Sequence, residues 1–255
     1  MNAYVVTGTT RGLGRALVQA ILEKGDLALS LSSAPDFSEA GHVNVQADLA
    51  ETAHLPAKLD ALLDQVEGAA VDALVLINNA GRLDPLMPLD HAPADQIAAA
   101  FAVNLAAPAI LMAHFLARTE KLTRPRRIIN ISSGAATTPY AGWGCYCSAK
   151  AGVEMLTRCA AAEQTSTQNP AKICAVAPGV VDTGMQRQVR DTSDAFFPRR
   201  AKFVRLYTAG ALAPPLSVAR RLLELDIQGA FKPGGCHDLR EMAPPMGPAL
   251  PHTRG

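Results

Sequence analysis

Short apolar runs alternate with longer stretches of helical periodicity along most of this chain, and that alternation leaves few folds open. The runs at 3–7, 27–31, 43–46, 72–77, 127–131, 172–177 and 236–239 read as strands. Between them, 13–24, 52–66, 94–116, 145–163 and 217–225 carry helical spacing. Leu55, Leu59, Leu62, Leu63 and Val66, for example, share one helical face. Gly25 and Asp26 stop the first helix, and a kink is expected near Pro108. Strands that alternate with helices build a parallel sheet covered on both faces. With 255 residues, 49% of them apolar, and no internal repeat, the chain suits one α/β domain over 1–242. Its sheet is expected to be doubly wound, with about seven strands. The tail 243–255 holds Pro244, Pro245, Pro248 and Pro251 and is expected to be disordered. The polar stretch 185–215 is too long for an ordinary connection and is expected to form an irregular substrate lid.

Charge and cysteine usage exclude several functions. A formal net charge of +1 gives no global reason to expect nucleic acid or an acidic surface as partner. Arg124, Arg126 and Arg127 read as a solvated loop before a strand. No uncharged apolar run is expected to approach the ~20 residues of a membrane span, and the first residues do not read as a signal peptide. The five cysteines are odd in number and lack Cys-x-x-Cys spacing, which argues against a disulfide framework and against zinc. Free thiols suit a cytoplasmic location, and no metal site is expected.

The motifs gather where strands end. The first strand runs into Thr7-Gly8-Thr9-Thr10-Arg11-Gly12-Leu13-Gly14. Glycines there let backbone approach a pyrophosphate, and a helix N-terminus supplies amides and a positive dipole. No Gly-Lys-Ser/Thr follows, so a P-loop is excluded. Asn78-Asn79-Ala80-Gly81 closes the fourth strand with small residues that leave room beside a ribose or adenine. Asp48, next to Leu49, follows the third strand and is placed to accept from an adenine amino group. Pro178-Gly179 follows the sixth strand, with Val181, Thr183 and Met185 shortly after. Ligands of such sheets bind at these carboxyl ends.

Tyr146 and Lys150 stand four residues apart and so share a helical face. A phenol has a pKa of about 10, and a neighbouring cation is expected to lower it. The pair reads as a proton-transfer device, with Ser133 as a hydrogen-bond donor to developing charge.

Taken together, Thr7 to Gly14, Asn78 to Gly81, Asn104, Ser133, Tyr146-x-x-x-Lys150 and Pro178-Gly179 resemble the short-chain dehydrogenase/reductase family over about residues 3 to 240. The resemblance implies a Rossmann fold with NAD or NADP along the strand ends. It assigns Gly8, Thr10, Arg11, Gly12, Leu13, Gly14, Ala80 and Gly81 to the cofactor, with Asp48 and Leu49 at adenine and Asn79 at the adjoining ribose. Tyr146 and Lys150 reach the nicotinamide ribose, Thr183 the carboxamide, and Pro178, Gly179, Val181 and Met185 line the same groove. Hydride would pass to a carbonyl carbon while Tyr146 donates the proton, Ser133 holds the oxygen, and Asn104 holds a water connecting Lys150 to solvent. A homodimer or homotetramer through the alanine-rich helices 94–116 and 145–163 is also implied.

No carboxylate ends the second strand, where one would bind the 2′-hydroxyl of NAD. Leu31, Ser32 and Ser33 stand there, and the next acid is Asp36. Arg11 lies inside the glycine loop, so NADP(H) is expected over NAD(H), with Ser32 and Ser33 replacing an absent second arginine. Residues 139–147, 177–186 and 231–238 look like the sepiapterin and benzil reductase branch of the family. That branch implies an aspartate anchoring a pterin's guanidine-like edge, and Asp238 matches it; its other reading is a turn residue. The expected function is an NADPH-dependent carbonyl reductase of a vicinal dicarbonyl or pterin-like small molecule. Ser133, Gly134, Trp143, Tyr146, Gly179 and Asp238 are expected at the substrate. Phe196, Phe197 and Phe203 are apolar walls of that site or core residues. The alternatives are a reductase of 3-oxoacyl thioesters and a non-catalytic NADP-binding regulator.

Overall fold

A computed structural model of the protein describes residues 1–34 and 39–242. Seven strands form one sheet: β1 (Ala3–Thr7), β2 (Leu27–Ser32), β3 (His42–Gln46), β4 (Leu74–Asn78), β5 (Arg126–Ile131), β6 (Lys172–Ala177) and β7 (Cys236–Asp238). Their order is β3-β2-β1-β4-β5-β6-β7, and every pairing is parallel. The chain winds outward from β1 to β3, then returns beside β1 as β4 and winds the other way. The crevice at the carboxyl ends of β1 and β4 is therefore the switch point where such sheets bind ligands. β1 and β4 are buried along their whole length, which suits uninterrupted Val, Leu and Ile in strands covered on both faces.

Among the described residues eight α-helices complete the fold: α1 (Gly12–Glu23), α2 (Leu55–Leu63), α3 (Ala94–Phe101), α4 (Ala107–Thr119), α5 (Gly144–Gln164), α6 (Gly184–Asp191), α7 (Arg200–Thr208) and α8 (Pro215–Ile227). α1 and α8 bury Leu17, Ile21, Leu222 and Leu223 on one face of the sheet. α2, α4 and α5 bury Leu59, Leu111, Phe115 and Ala160 on the other.

Four expectations change. The helix foreseen over 94–116 is two helices joined by a π turn at Ala102–Ala106, where the Ala107 amide donates to the Ala102 carbonyl. Pro108 has no N–H for the Asn104 carbonyl, so the regular ladder is broken there. The run 97–117 contains no Asp, Glu, Lys or Arg, and Ala94–Thr119 is apolar and long enough to cross a membrane by length and composition. In this fold the same run packs Leu111, Met112 and Phe115 into the core.

The stretch 185–215 is not irregular, since α6 and α7 occupy most of it. Phe197 between them is 0% exposed and stacks on Trp143 with centroids 4.6 Å apart. Finally, Arg126 and Arg127 are not solvated. Arg126 is 2% exposed and donates to the carbonyls of Leu116 and Asn169. Arg127 pairs at 2.9 Å with buried Asp226. Arg124 donates to the Ala69 carbonyl. These arginines stitch loops at the end of the sheet away from the switch point. The tail 243–255 and Asp36 lie outside the described residues.

Candidate active site

The glycine loop is built by close backbone approach. A Cβ on Gly8 would lie 2.9 Å from Ala80, and one on Gly14 would lie 2.0 Å from the Gly8 carbonyl oxygen. Gly8 and Gly12 also have positive φ, 72° and 58°, which glycine alone adopts without strain. Thr7 and Asn79 staple β1 to β4. The Thr7 hydroxyl accepts from the amides of Asn79 and Ala80 at 3.0 Å, and the Asn79 side chain donates to the Thr7 carbonyl at 2.9 Å. The amide of Asn79 is thus committed to holding the loop, a duty beyond the ribose contact expected of it.

Arg11 caps α1 without a side-chain hydrogen bond, and no acid stands in the first turn. The amides at this N-terminus are left for an anion. The Thr9 hydroxyl is buried with no partner among the described residues, a further polar atom awaiting a ligand. These observations fit the pyrophosphate of a dinucleotide. Thr183 faces the same place, its methyl 3.2 Å from where a Gly12 Cβ would sit. Leu13, Leu49 and Val181 are buried beneath the groove, and Thr10 and Pro178 are half-buried beside it. Asp48 is exposed and uses one oxygen to accept from the Ala50 amide at 2.9 Å. Ser32 is already engaged, since its hydroxyl donates to the Ala34 carbonyl and accepts from Asn44, both at 2.7 Å. Ser33 and Arg11 are exposed.

Next to the groove stands the proposed chemical group. A Cβ on Gly81 would lie 3.3 Å from Asn104 Oδ1, 3.9 Å from Lys150 Nζ and 4.0 Å from the Met185 methyl. One glycine therefore marks where four segments converge. Asn104 is fully buried, and its side chain clamps Arg82, accepting from its amide at 2.9 Å and donating to its carbonyl at 2.8 Å. That clamp spends the Asn104 side chain on backbone. Lys150 donates at 2.6 Å to the Ile131 carbonyl at the end of β5, and its ammonium lies 5.8 Å from the centre of the Tyr146 ring. Ser133 accepts from the Ala135 amide at 3.1 Å, and next to it Gly134 faces open space.

Burial governs the titration of this group. It pushes Tyr146 up to about 12, against a lowering hydrogen bond with Ser133. It pulls Lys150 down to about 8. The sequence had suggested that Lys150 would depress the phenol; instead the ammonium turns to Ile131 and desolvation prevails. At neutral pH the phenol is protonated, the state a proton donor needs.

Behind these residues runs a buried polar ladder that the motifs did not reveal. Asn78 donates to Asn130 at 2.8 Å, Asn130 donates to Thr157 at 2.8 Å, and Ser132 donates to Glu154 at 2.7 Å. The visible signal was an asparagine inside an otherwise apolar strand.

Aromatic side chains close the other side. Trp143 meets Tyr146 edge-on at 5.6 Å, and Tyr140 lies 5.0 Å from Trp143. Phe203 is buried with them and Phe196 is exposed. Gly142, with φ of 86°, admits the Phe196 carbonyl oxygen to 2.1 Å from where a Cβ would stand. Asp238 pairs with Ala177 across the β6–β7 register, just before Pro178 and Gly179, at the carboxyl-end rim of the sheet.

A family model described as short chain dehydrogenase matches residues 2–194. A benzil reductase ((S)-benzoin forming) of Bacillus cereus is 36% identical over 233 residues, 88% of this chain and 94% of that protein. A sepiapterin reductase of Meriones unguiculatus is 31% identical over 249 residues, 90% of this chain and 93% of its own. Among solved structures, that of the KRED1-Pglu enzyme aligns with a TM-score of 0.79 at 25% identity, over 93% of this chain and 100% of that one. With its doubly wound sheet, glycine loop, Ser133 and buried Tyr146 and Lys150, the chain belongs to the short-chain dehydrogenase/reductase family, oxidoreductases that use a nicotinamide cofactor.

Proposed function

We propose that the protein is an NADPH-dependent carbonyl reductase of vicinal dicarbonyl or pterin-like compounds. The observation that carries this reading is the convergence of Ser133, Tyr146 and Lys150 on a groove bordered by the glycine loop and an aromatic wall. Similarity to a benzil reductase over most of both chains supports the substrate class. Nicotinamide, when bound, supplies the hydride. Tyr146, protonated at neutral pH, donates a proton to the carbonyl oxygen as charge builds there. Ser133 donates a hydrogen bond to the same oxygen. Lys150 holds positive charge beside the phenol and reaches the ribose. Pro108 has no N–H to offer the Asn104 backbone carbonyl, so that carbonyl rather than the side chain is the acceptor for the water expected of this residue.

NADPH is preferred because the described end of β2 carries no carboxylate and Arg11 stands exposed at the helix N-terminus. The engagement of Ser32 leaves Arg11, Ser33 and backbone to meet the 2′-phosphate. α6 and α7 act as the substrate lid. Assembly as a dimer or tetramer through α3, α4 and α5 is supported by the apolar run Ala94–Thr119, only 39% of whose most apolar window is buried within one chain.

The decisive experiment follows oxidation of NADPH and of NADH with benzil, sepiapterin and a 3-oxoacyl thioester. Efficient benzil reduction with NADPH is expected. Equal or better efficiency with NADH would refute the cofactor preference. Tight NADPH binding with no turnover of any carbonyl would overturn the enzymatic reading.

A further inference from the structure

The carboxylate of Asp238 is not open to a ligand. Arg240, two residues along the same turn, takes both of its oxygens. Its Nε donates to Oδ1 at 2.9 Å and to Oδ2 at 3.2 Å, and its Nη2 donates to Oδ2 at 2.5 Å. The Arg240 backbone amide adds a bond to Oδ1 at 2.9 Å. This is the two-pronged geometry in which guanidinium and carboxylate match, and it holds Asp238 below the usual carboxylate range.

The position of Arg240 gives this pair its meaning. Its stem crosses Gly179, with Cδ 3.1 Å and Cγ 3.2 Å from where a Gly179 Cβ would stand. Gly179 has φ of 82°, so both its conformation and the passage of Arg240 require the missing side chain. Arg240 thus lies across Gly179 at the rim, just beyond the end of β6.

A substrate edge with paired N–H donors, such as the aminopyrimidine of a pterin, seeks the contacts that Arg240 already makes. Such a ligand competes with an intramolecular partner, which needs no association step. A diaryl diketone carries no such donors and has nothing to compete for. We propose that Arg240 is a specificity-determining residue: by occupying Asp238 it turns the rim against pterin-like substrates and leaves the site to vicinal diketones. This deepens the reading of the site as a dicarbonyl or pterin reductase and rests on it.

The Arg240 side chain is 61% exposed, so solvent weakens the pair and the effect is expected to be about tenfold rather than thousandfold. The test compares wild type, Arg240→Ala and the double variant Arg240→Ala with Asp238→Asn. Asparagine keeps an acceptor for the turn while removing the charge. With NADPH, the ratio of sepiapterin to benzil kcat/KM is expected to rise about tenfold in Arg240→Ala and to fall back in the double variant. Titration calorimetry of the NADP-loaded proteins with biopterin reads the same competition without turnover, and Kd should tighten in Arg240→Ala alone. An unchanged ratio and Kd in Arg240→Ala would overturn the proposal. So would an equal gain in the double variant, which would signal a widened rim. If wild type reduces neither carbonyl, the functional reading fails while the calorimetry still decides the role of Arg240.

Discussion

The two halves of the groove are held in different ways. On the cofactor side, shape comes from backbone against backbone: Gly8 against Ala80, Gly14 against the Gly8 carbonyl, and the Thr7–Asn79 staple between β1 and β4. On the substrate side, apart from the close approach of Gly142 to the Phe196 carbonyl, shape comes from side chains: Trp143 on Phe197, Tyr140 beside both, and Arg240 across Gly179. Backbone packing tolerates almost no variation, because an added methyl meets atoms that cannot move. Side-chain packing can be recomposed residue by residue. A nucleotide half that stays fixed beside a carbonyl half that can be retuned lets one scaffold serve different carbonyls.

The sharpest way to test that contrast is first to remove the chemistry both halves share. Tyr146→Phe should lower kcat by about 10²–10⁴-fold, while NADPH binding, followed by calorimetry, is retained. Gly14→Ala should break the cofactor half. Its Cβ would sit 2.0 Å from the Gly8 oxygen, so the loop must move, and NADPH affinity should fall by at least about tenfold.

Gly142→Ala addresses the substrate half. A Cβ there meets the Phe196 carbonyl, and φ is 86°, so the segment before α7 should be displaced at a cost of about 1–3 kcal/mol. KM for benzil should rise while Kd for NADPH holds. A parallel loss of both affinities would erase the distinction between the halves.

A further expected effect is one of stability. Lys150 falls from 10.5 to about 8 on burial, so the folded state disfavours its charge. That penalty is complete below about pH 8, where both states are protonated, and disappears as pH rises through the unfolded value near 10.5. It amounts to roughly 3 kcal/mol before the bond to Ile131 is credited. Relative to Lys150→Met, wild type should therefore gain stability between about pH 8 and 10.5 in denaturant melts. A constant difference across that window would show that the ammonium is not buried as described.

The same contrast explains what could be read from the sequence. The glycine loop, Asn78 to Gly81 and the Tyr146–Lys150 spacing are written as contiguous patterns, because backbone geometry restricts residue type locally. Strands such as β1, β2, β4 and β6 were legible for the same reason, each being a short apolar run, whereas β3 and β7 are more polar. α6 was not, since its residues are mostly polar and it is held by partners distant in the chain, among them Asp84 on Gln188. Arg126 and Arg127 looked like solvent-facing charge because their partners Leu116, Asn169 and Asp226 are remote. The direction of the Tyr146 shift was missed because spacing reports proximity to Lys150 but not the depth of burial. Arg240 was passed over beside Asp238 because no motif marks a side chain that occupies its neighbour's site.

The ladder from Asn78 through Asn130 to Thr157 has a consequence for helix α5. Three of the nine residues α5 buries are alanines, which offer little to stop a cylinder from turning about its axis. Thr157 lies three turns beyond Tyr146, on nearly the same side of the helix. Its bond to Asn130, with that of Glu154 to Ser132, indexes the rotational phase of α5 against the sheet. A slip of one residue would swing the phenol by about 100°, away from the cofactor. These buried polar teeth act as the detent that keeps the face bearing Tyr146 and Lys150 pointing inward.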